Sequence, residues 1–187
     1  MDQVIKQAVE VLRRGGVILY PTDTIWGIGC DATNPDAVAK IYSIKQREDT
    51  KSMLVLIETP NRLNSYVDTV PEIAWDIVEL ADKPLTIIYP KAKNLASNLI
   101  ASDGSIGIRV VTHDFCEKLI RTFGKPIVST SANISGKAYP KNFKEIEQSI
   151  KDQVDFIIPQ NFDHFGQMPP SGIIQIGVNG EVKVIRE

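Results

Sequence analysis

Gly15-Gly16-Val17-Ile18-Leu19-Tyr20-Pro21-Thr22-Asp23-Thr24 decides how the chain is read. Before it, Val4, Ile5, Ala8, Val9 and Leu12 recur at helical spacing, which predicts an amphipathic helix over 3–14. The glycine pair ends that helix. Val17 to Tyr20 is a short apolar run, the mark of a buried strand. Polar residues follow at once, where α/β proteins place their ligands. Outward from this stretch, strands and helices alternate. Asn34-Pro35 opens a helix as cap and first-turn proline, and Val38, Ile41 and Tyr42 give it an apolar face up to Ile44. Strands are predicted over 53–57, 85–89, 106–111, 127–128, 156–158, 173–176 and 182–185. Helices are predicted over 60–67, 71–80, 113–123 and 142–150. Asn179-Gly180 makes the last two strands a hairpin. The expected fold is therefore α/β, with a twisted mixed sheet and flanking helices rather than a purely parallel sheet. One domain over 1–187 is expected, because no linker, repeat or low-complexity tract divides the chain.

Composition narrows the function classes. With 43% hydrophobic and 24% charged residues, the 187-residue chain reads as soluble and globular. Its 21 basic and 23 acidic side chains net to −2, so no global basic field drives nucleic-acid binding. Cys30 and Cys116 form no CxxC pair, and His113 and His164 complete no metal-ligand spacing. Cys30 is expected to be a free, small, buried thiol. Charges among residues 1–10 argue against a signal peptide, and no apolar run of about 18 residues is long enough for a bilayer. The expected location is the cytoplasm, with no membrane partner.

Familiar catalytic motifs are missing. Gly27-Ile28-Gly29-Cys30-Asp31-Ala32 has the form of a dinucleotide fingerprint, but Pro21 to Trp26 separate it from the strand it should follow. Those glycines are expected in a turn of close backbone packing. No Gly-x-Ser-x-Gly elbow supports Ser129 or Ser131 as a nucleophile. What remains is a set of polar residues two apart, each beside a strand or helix end: Thr22 and Thr24; Lys45 and Arg47; Ser129, Ser131 and Asn133. On extended backbone each set points one way. Two long cations aimed together suit a polyphosphate or a carboxylate. Basic residues also favour helix C-termini for dipole reasons alone, and Ser, Thr and Asn also build turns and caps. Arg109 interrupts the apolar run 106–111 and is either on a solvated face or held for a partner. Trp26 and Trp75 are expected in the core or at its rim, and Lys137, Lys141 and Lys144 along a solvated edge or one facing RNA. Hydroxyls, an amide and cations without a strong general base suit catalysis by positioning and charge stabilisation, as in transfer at phosphorus.

The chain resembles the YrdC/Sua5 family of threonylcarbamoyl-AMP synthases. The resemblance is carried by Tyr20-Pro21-Thr22-Asp23-Thr24-Ile25-Trp26-Gly27, the Lys45-x-Arg47 pair, Ile106-Gly107-Ile108-Arg109-Val110 and Ser129-Thr130-Ser131-Ala132-Asn133-Ile134-Ser135-Gly136. It implies a YrdC-like fold around a large positive cleft. It also implies a nucleotidyltransferase that joins ATP, bicarbonate and L-threonine into threonylcarbamoyl-AMP and pyrophosphate. The product feeds N6-threonylcarbamoylation of adenosine 37 in tRNA through a downstream transferase machinery, with tRNA itself a candidate partner. By position, Thr24, Arg109, Ser129 and, more loosely, Ser171 look like threonine contacts, with Arg109 on the carboxylate. Lys45 and Arg47 look like catalytic groups on the ATP phosphates, joined by Lys51, Ser105, Ser131, Asn133 and, more loosely, Arg186 as ATP contacts. Magnesium is implied with ATP, held by the phosphates rather than by a protein metal motif. The chain departs from the pattern after Arg47. Glu48, Lys51, Ser52, Met53 and Leu56 stand where many members read Pro-x-x-Asn-Pro-Leu-x-Val-His, so a leucine replaces the family histidine. Trp26 replaces a tyrosine, and 81–86 lacks the glycine of a Pro-Gly-Pro-Leu-Thr element. Two rivals stand beside the synthase. One is an RNA-binding module of the same fold, and the other a YciO-like nucleotide-processing paralogue. Intact Ser131 and Asn133 favour the synthase over the second.

Overall fold

The computed structural model describes residues 1–46, 53–163 and 169–187. Helix α1 (Asp2–Arg13) leads into β1 (Ile18–Tyr20) and β2 (Gly27–Gly29), followed by α2 (Pro35–Ile44) and β3 (Leu54–Ile57). A turn of 3-10 helix precedes the short α3 (Leu63–Tyr66), then α4 (Glu72–Leu80), β4 (Leu85–Tyr89) and β5 (Ile106–Val110). Next come α5 (Asp114–Phe123), β6 (Ile127–Ser131), the one-turn α6 (Gln148–Lys151), β7 (Phe156–Ile157) and the hairpin β8 (Gly172–Ile176) and β9 (Val182–Arg186). The described strands form one nine-stranded mixed sheet in the order β7-β1-β2-β6-β3-β5-β4-β8-β9. The mixed α/β expectation is met.

Period-two alternation sends the sheet's side chains into two cores. Ile18, Tyr20, Leu56 and Ile127 meet α1 and α5 on one face, through Ile5, Leu12, Phe115 and Leu119. Their neighbours Leu19, Val55, Ile57 and Val128 turn to the other face, with Ile41 of α2 and Ile87 of β4. Each large aliphatic side chain buried this way contributes roughly 1.5–3 kcal/mol. The helix ends follow local chemistry. Asn34 Oδ1 accepts from the backbone N–H groups of Asp36 and Ala37 at 3.0 and 3.2 Å, capping α2 ahead of Pro35. Gly124, at φ 80°, closes α5 in the left-handed conformation.

Three expectations change. Gly27–Gly29 is a strand between β1 and β6, not a turn. Two glycines in three residues carry no side-chain alternation, so no strand signal is visible. The close packing expected of them is real: a Cβ on Gly29 would sit 2.5 Å from Val128 O and 2.7 Å from Tyr20 Cε1. The helix predicted over 142–150 breaks into a 3-10 turn (Phe143–Glu145) and α6, because Ile146 is extended (φ −65°, ψ 127°). Its side chain is buried all the same, so apolar spacing imitates a continuous helix. Finally, Lys45 does not lie on an extended segment, which the shared-side argument for Lys45 and Arg47 required. Lys45 is αR and Gln46 left-handed at φ 49°. Arg47 lies outside the described residues, as do Glu48, Lys51 and Ser52.

Among the described residues, no helix is long and apolar enough to cross a membrane. Cys30 and Cys116 are free and fully buried. Burial raises both thiols above the usual cysteine range, with Asp31 and Asp23 respectively adding to the effect. A raised pKa leaves the protonated, unreactive thiol dominant at neutral pH. Neither cysteine is therefore expected to react with a disulfide reagent at pH 8 until the protein is unfolded in denaturant, when both titrate. Gly29→Ala is expected to cost about 2–3 kcal/mol, because backbone and two packed side chains must give way; denaturant melts of the two proteins give the difference.

Candidate active site

A cavity of about 210 Å³ opens on the sheet face that carries Leu56 and Ile127. Helices α1 and α5 cover those residues. Two residues along the same strands, Leu54 and Ser129 keep the same facing and line the cavity instead. Ser131 follows from β6, Arg109 from β5, Arg186 from β9 and Ser171 from the segment before β8. The turn after β1 adds Thr22 and Thr24. The polar side chains that line the cavity thus come from β6, β5 and β9 and from the segments after β1 and before β8.

Each wall is fixed by hydrogen bonds. The Thr22 and Thr24 hydroxyls lie 3.0 Å apart, and Thr22 Oγ1 donates to Ile25 O at 2.8 Å. Thr24 N–H donates to Thr22 Oγ1 at 3.1 Å, so the pair shares a side through a tight turn rather than an extended strand. Ser171 Oγ and Thr86 Oγ1 bond at 2.8 Å across β4 and the start of β8. Arg186 donates twice to Ser171 O, from Nε at 3.0 Å and Nη2 at 2.7 Å. Arg109 is 3% exposed and pairs with Asp23, its Nη2 lying 2.9 Å from Oδ1. That decides between the two possibilities for Arg109: it is held inside, not solvated. Removing one partner of such a buried pair typically costs about 3–5 kcal/mol, since the other charge is stranded.

The electrostatics are those of an anion site. Burial first, and then the charge of Arg109, draws the Arg186 guanidinium below its ordinary pKa, while Tyr139 acts the other way. Two guanidiniums therefore face one small space. Beneath them the Tyr20 phenol is pushed up, chiefly by burial, and stays protonated; its hydroxyl donates to Val128 O at 3.2 Å. Among the described residues, hydroxyls and cations line the cavity without a strong nucleophile, so it can bind a small anion and steady developing negative charge. Among the described residues, no group of three or more His, Cys, Asp and Glu is arranged to hold a metal ion.

The structure gathers seven of the polar residues singled out from the sequence around this cavity: Thr22, Thr24, Arg109, Ser129, Ser131, Ser171 and Arg186. Lys45, Asn133 and Ser105 stand outside its lining. Lys45, 1% exposed, extends from the end of α2 and donates to the backbone carbonyl of Ser131 and, at 2.7 Å, to that of Asn133. Asn133 Nδ2 donates to Ile134 O at 3.2 Å and Lys137 O at 2.7 Å, which folds back the loop after β6. Ser105 sits at the start of β5, where its side chain and N–H bond the Asp103 carboxylate and lower that pKa. Arg47 and Lys51 lie outside the described residues. Leu56, in the family's histidine column, is fully buried among aromatic and aliphatic side chains, paired in register with Arg109. The sequence reading missed Asp23, Thr86 and Tyr139. Thr86 had a signal, a polar residue inside the apolar run Leu85 to Tyr89. Asp23 was hidden by attention to the threonines on either side, and nothing marks Tyr139 in its polar loop.

Comparison with known proteins places the chain. The pattern of the Sua5/YciO/YrdC family, described as telomere recombination, matches residues 10–187. The chain is 34% identical over 184 residues to the threonylcarbamoyl-AMP synthase of Pseudoalteromonas translucida, covering 97% of each chain. It is 33% identical over 156 residues to that of Vibrio parahaemolyticus, covering 82% of this chain and 84% of the other. The crystal structure of E. coli YciO superposes with a TM-score of 0.85 at 28% identity, over 100% of this chain and 90% of that one. P. abyssi Sua5 complexed with L-threonine superposes with a TM-score of 0.82 at 25% identity, over 92% of this chain. The chain spans only 50% of that longer Sua5 protein. With the fold, the polar cavity and these matches together, the chain belongs to the Sua5/YciO/YrdC family.

Proposed function

We propose that this chain is a threonylcarbamoyl-AMP synthase, a nucleotidyltransferase acting in the cytoplasm on L-threonine, bicarbonate and ATP. One observation carries the reading: a buried guanidinium, Arg109, shares a small cavity with the hydroxyl groups of Thr24, Ser129 and Ser171. At about 210 Å³ the cavity is below the common range for drug-sized ligands, about 300–1,000 Å³, and suits an amino acid. Relatives of similar length carry the synthase name, and a solved Sua5 holds L-threonine. Arg109 receives the threonine carboxylate, and the hydroxyls orient its polar side chain. The neutral threonine amine forms a bond to the carbon of bicarbonate, whose C–OH bond breaks; the hydroxide leaves with the amine proton as water, giving an N-carboxylate. That carboxylate attacks the α-phosphorus of ATP, and pyrophosphate leaves. Ser131 and Arg186 serve ATP from the cavity lining, and Lys45, Asn133, Ser105, Arg47 and Lys51 are further ATP contacts by their match to the family pattern. Magnesium enters with ATP as part of the substrate. The activated product passes to a tRNA threonylcarbamoyl-transferase machinery, which completes the modification of adenosine 37.

A second reading, a YciO-like nucleotide-processing paralogue, is favoured by Leu56, whose packed side chain offers no hydrogen bond where the family histidine stands. Pyrophosphate release separates the two. The synthase is expected to release it from ATP only when both L-threonine and bicarbonate are present; turnover independent of threonine selects the paralogue. Arg109→Ala is expected to weaken threonine binding about a hundredfold, the loss of a charge-assisted pair worth about 3 kcal/mol, while leaving a non-hydrolysable ATP analogue within about threefold. Calorimetry on each ligand separately checks this, and equal losses would remove Arg109 from the threonine site.

A further inference from the structure

The geometry points to Asp23 as the positioning residue for Arg109, acting on threonine through the guanidinium it holds and not by contact. The inference rests on the threonine site proposed above. Asp23 stands between Thr22 and Thr24, whose side chains line the cavity, and its own carboxylate turns away into the protein with no exposure. Arg109 Nη2 meets it at 2.9 Å from β5, which the sheet order separates from β1 by β2, β6 and β3. The nearby protic groups do not serve the carboxylate. Tyr20 Oη donates to Val128 O, and Cys116 Sγ to Pro21 O at 3.2 Å. Neither Asp23 oxygen has a conventional hydrogen bond among the described residues, so the ion pair to Arg109 is what holds it.

Such an arrangement is expensive as architecture. A buried carboxylate with unmet lone pairs is usually no more stabilising than a packed apolar side chain of similar size. It is economical as positioning. One edge of the guanidinium is pinned from behind, while Arg109 Nε, buried and without a hydrogen-bond partner among the described residues, is left as an unused donor. A planar fork fixed at one nitrogen presents its remaining donors in one orientation, which is what bidentate recognition of a carboxylate requires. Asp23 thereby reduces the ordering that Arg109 must undergo when threonine arrives.

Asp23→Asn tests this, because it keeps the shape and removes the charge. The expected result is a threonine dissociation constant raised about tenfold, with that of a non-hydrolysable ATP analogue unchanged within twofold. The Arg109 Nη proton signals are expected to be resolved in the wild type by hindered rotation and to merge in the variant. Introduced into an Arg109→Gln background, Asp23→Asn is expected to change threonine binding less than twofold. That double variant leaves no lone buried charge, so it also serves if Asp23→Asn alone does not fold. Threonine affinity within twofold of wild type in Asp23→Asn overturns the inference, as does an equal loss in both backgrounds. If the wild-type protein binds no threonine, the site reading itself falls, and the Nη signals still decide whether Asp23 holds Arg109.

Discussion

A guanidinium in the floor of a sheet requires a counter-charge, and the rest of this site depends on how Asp23 supplies it. Arg109 occupies a position in β5 where its in-register neighbour is the fully buried Leu56. In so dry a place a lone cation is heavily penalised. The Asp23 carboxylate reaches Arg109 from the turn after β1, which belongs to the other end of the sheet order, beyond β2, β6 and β3. The turn and β5 are therefore locked together by charge as well as by the strands between them. That lock places the Thr22 and Thr24 hydroxyls on one side of the cavity and Arg109 at its floor.

The second fixed point is the exit from β6. Lys45 donates to two carbonyls there, and Ser135 N–H returns a bond to Lys45 O at 2.9 Å. The end of α2 and the loop after β6 are consequently one joint. Lys45 does not complement its own helix end; it closes the backbone of the strand that carries Ser129 and Ser131. Lys45 thus shapes the site through the backbone it closes, and Gln46 beside it is left-handed at φ 49°.

Much of this was legible in the sequence, for identifiable reasons. Period-two alternation in β6 puts Ser129 and Ser131 on one face, and a charge inside an apolar run marks Arg109. Spacing could not reveal destinations. It grouped Lys45 with Ser131 and Asn133 correctly, but it could not say that the ammonium seeks their backbone carbonyls. Nor could it find β2, because Gly27 and Gly29 have no side chains to alternate. The partner of Arg109 lies 86 positions away in the chain, between two residues whose hydroxyls drew the eye, and only the fold brings Asp23 to it. Leu56 was visible as a departure from the family pattern, and its side chain packs in the α1–α5 core.

Arg186 gives the cavity an uneven rigidity. Arg109 projects from β5, flanked on both sides by strands, whereas Arg186 projects from β9, which among the described strands pairs with β8 alone and is exposed along its whole length. Edge strands fray first, and their amide protons exchange through local openings that leave the rest of the sheet closed. One guanidinium is thus clamped between strands while the other sits on the sheet's margin, held to Ser171 O. A ligand bridging the two would draw the β8–β9 hairpin into the cooperative unit of the sheet, so that filling the site and quieting its margin become the same event.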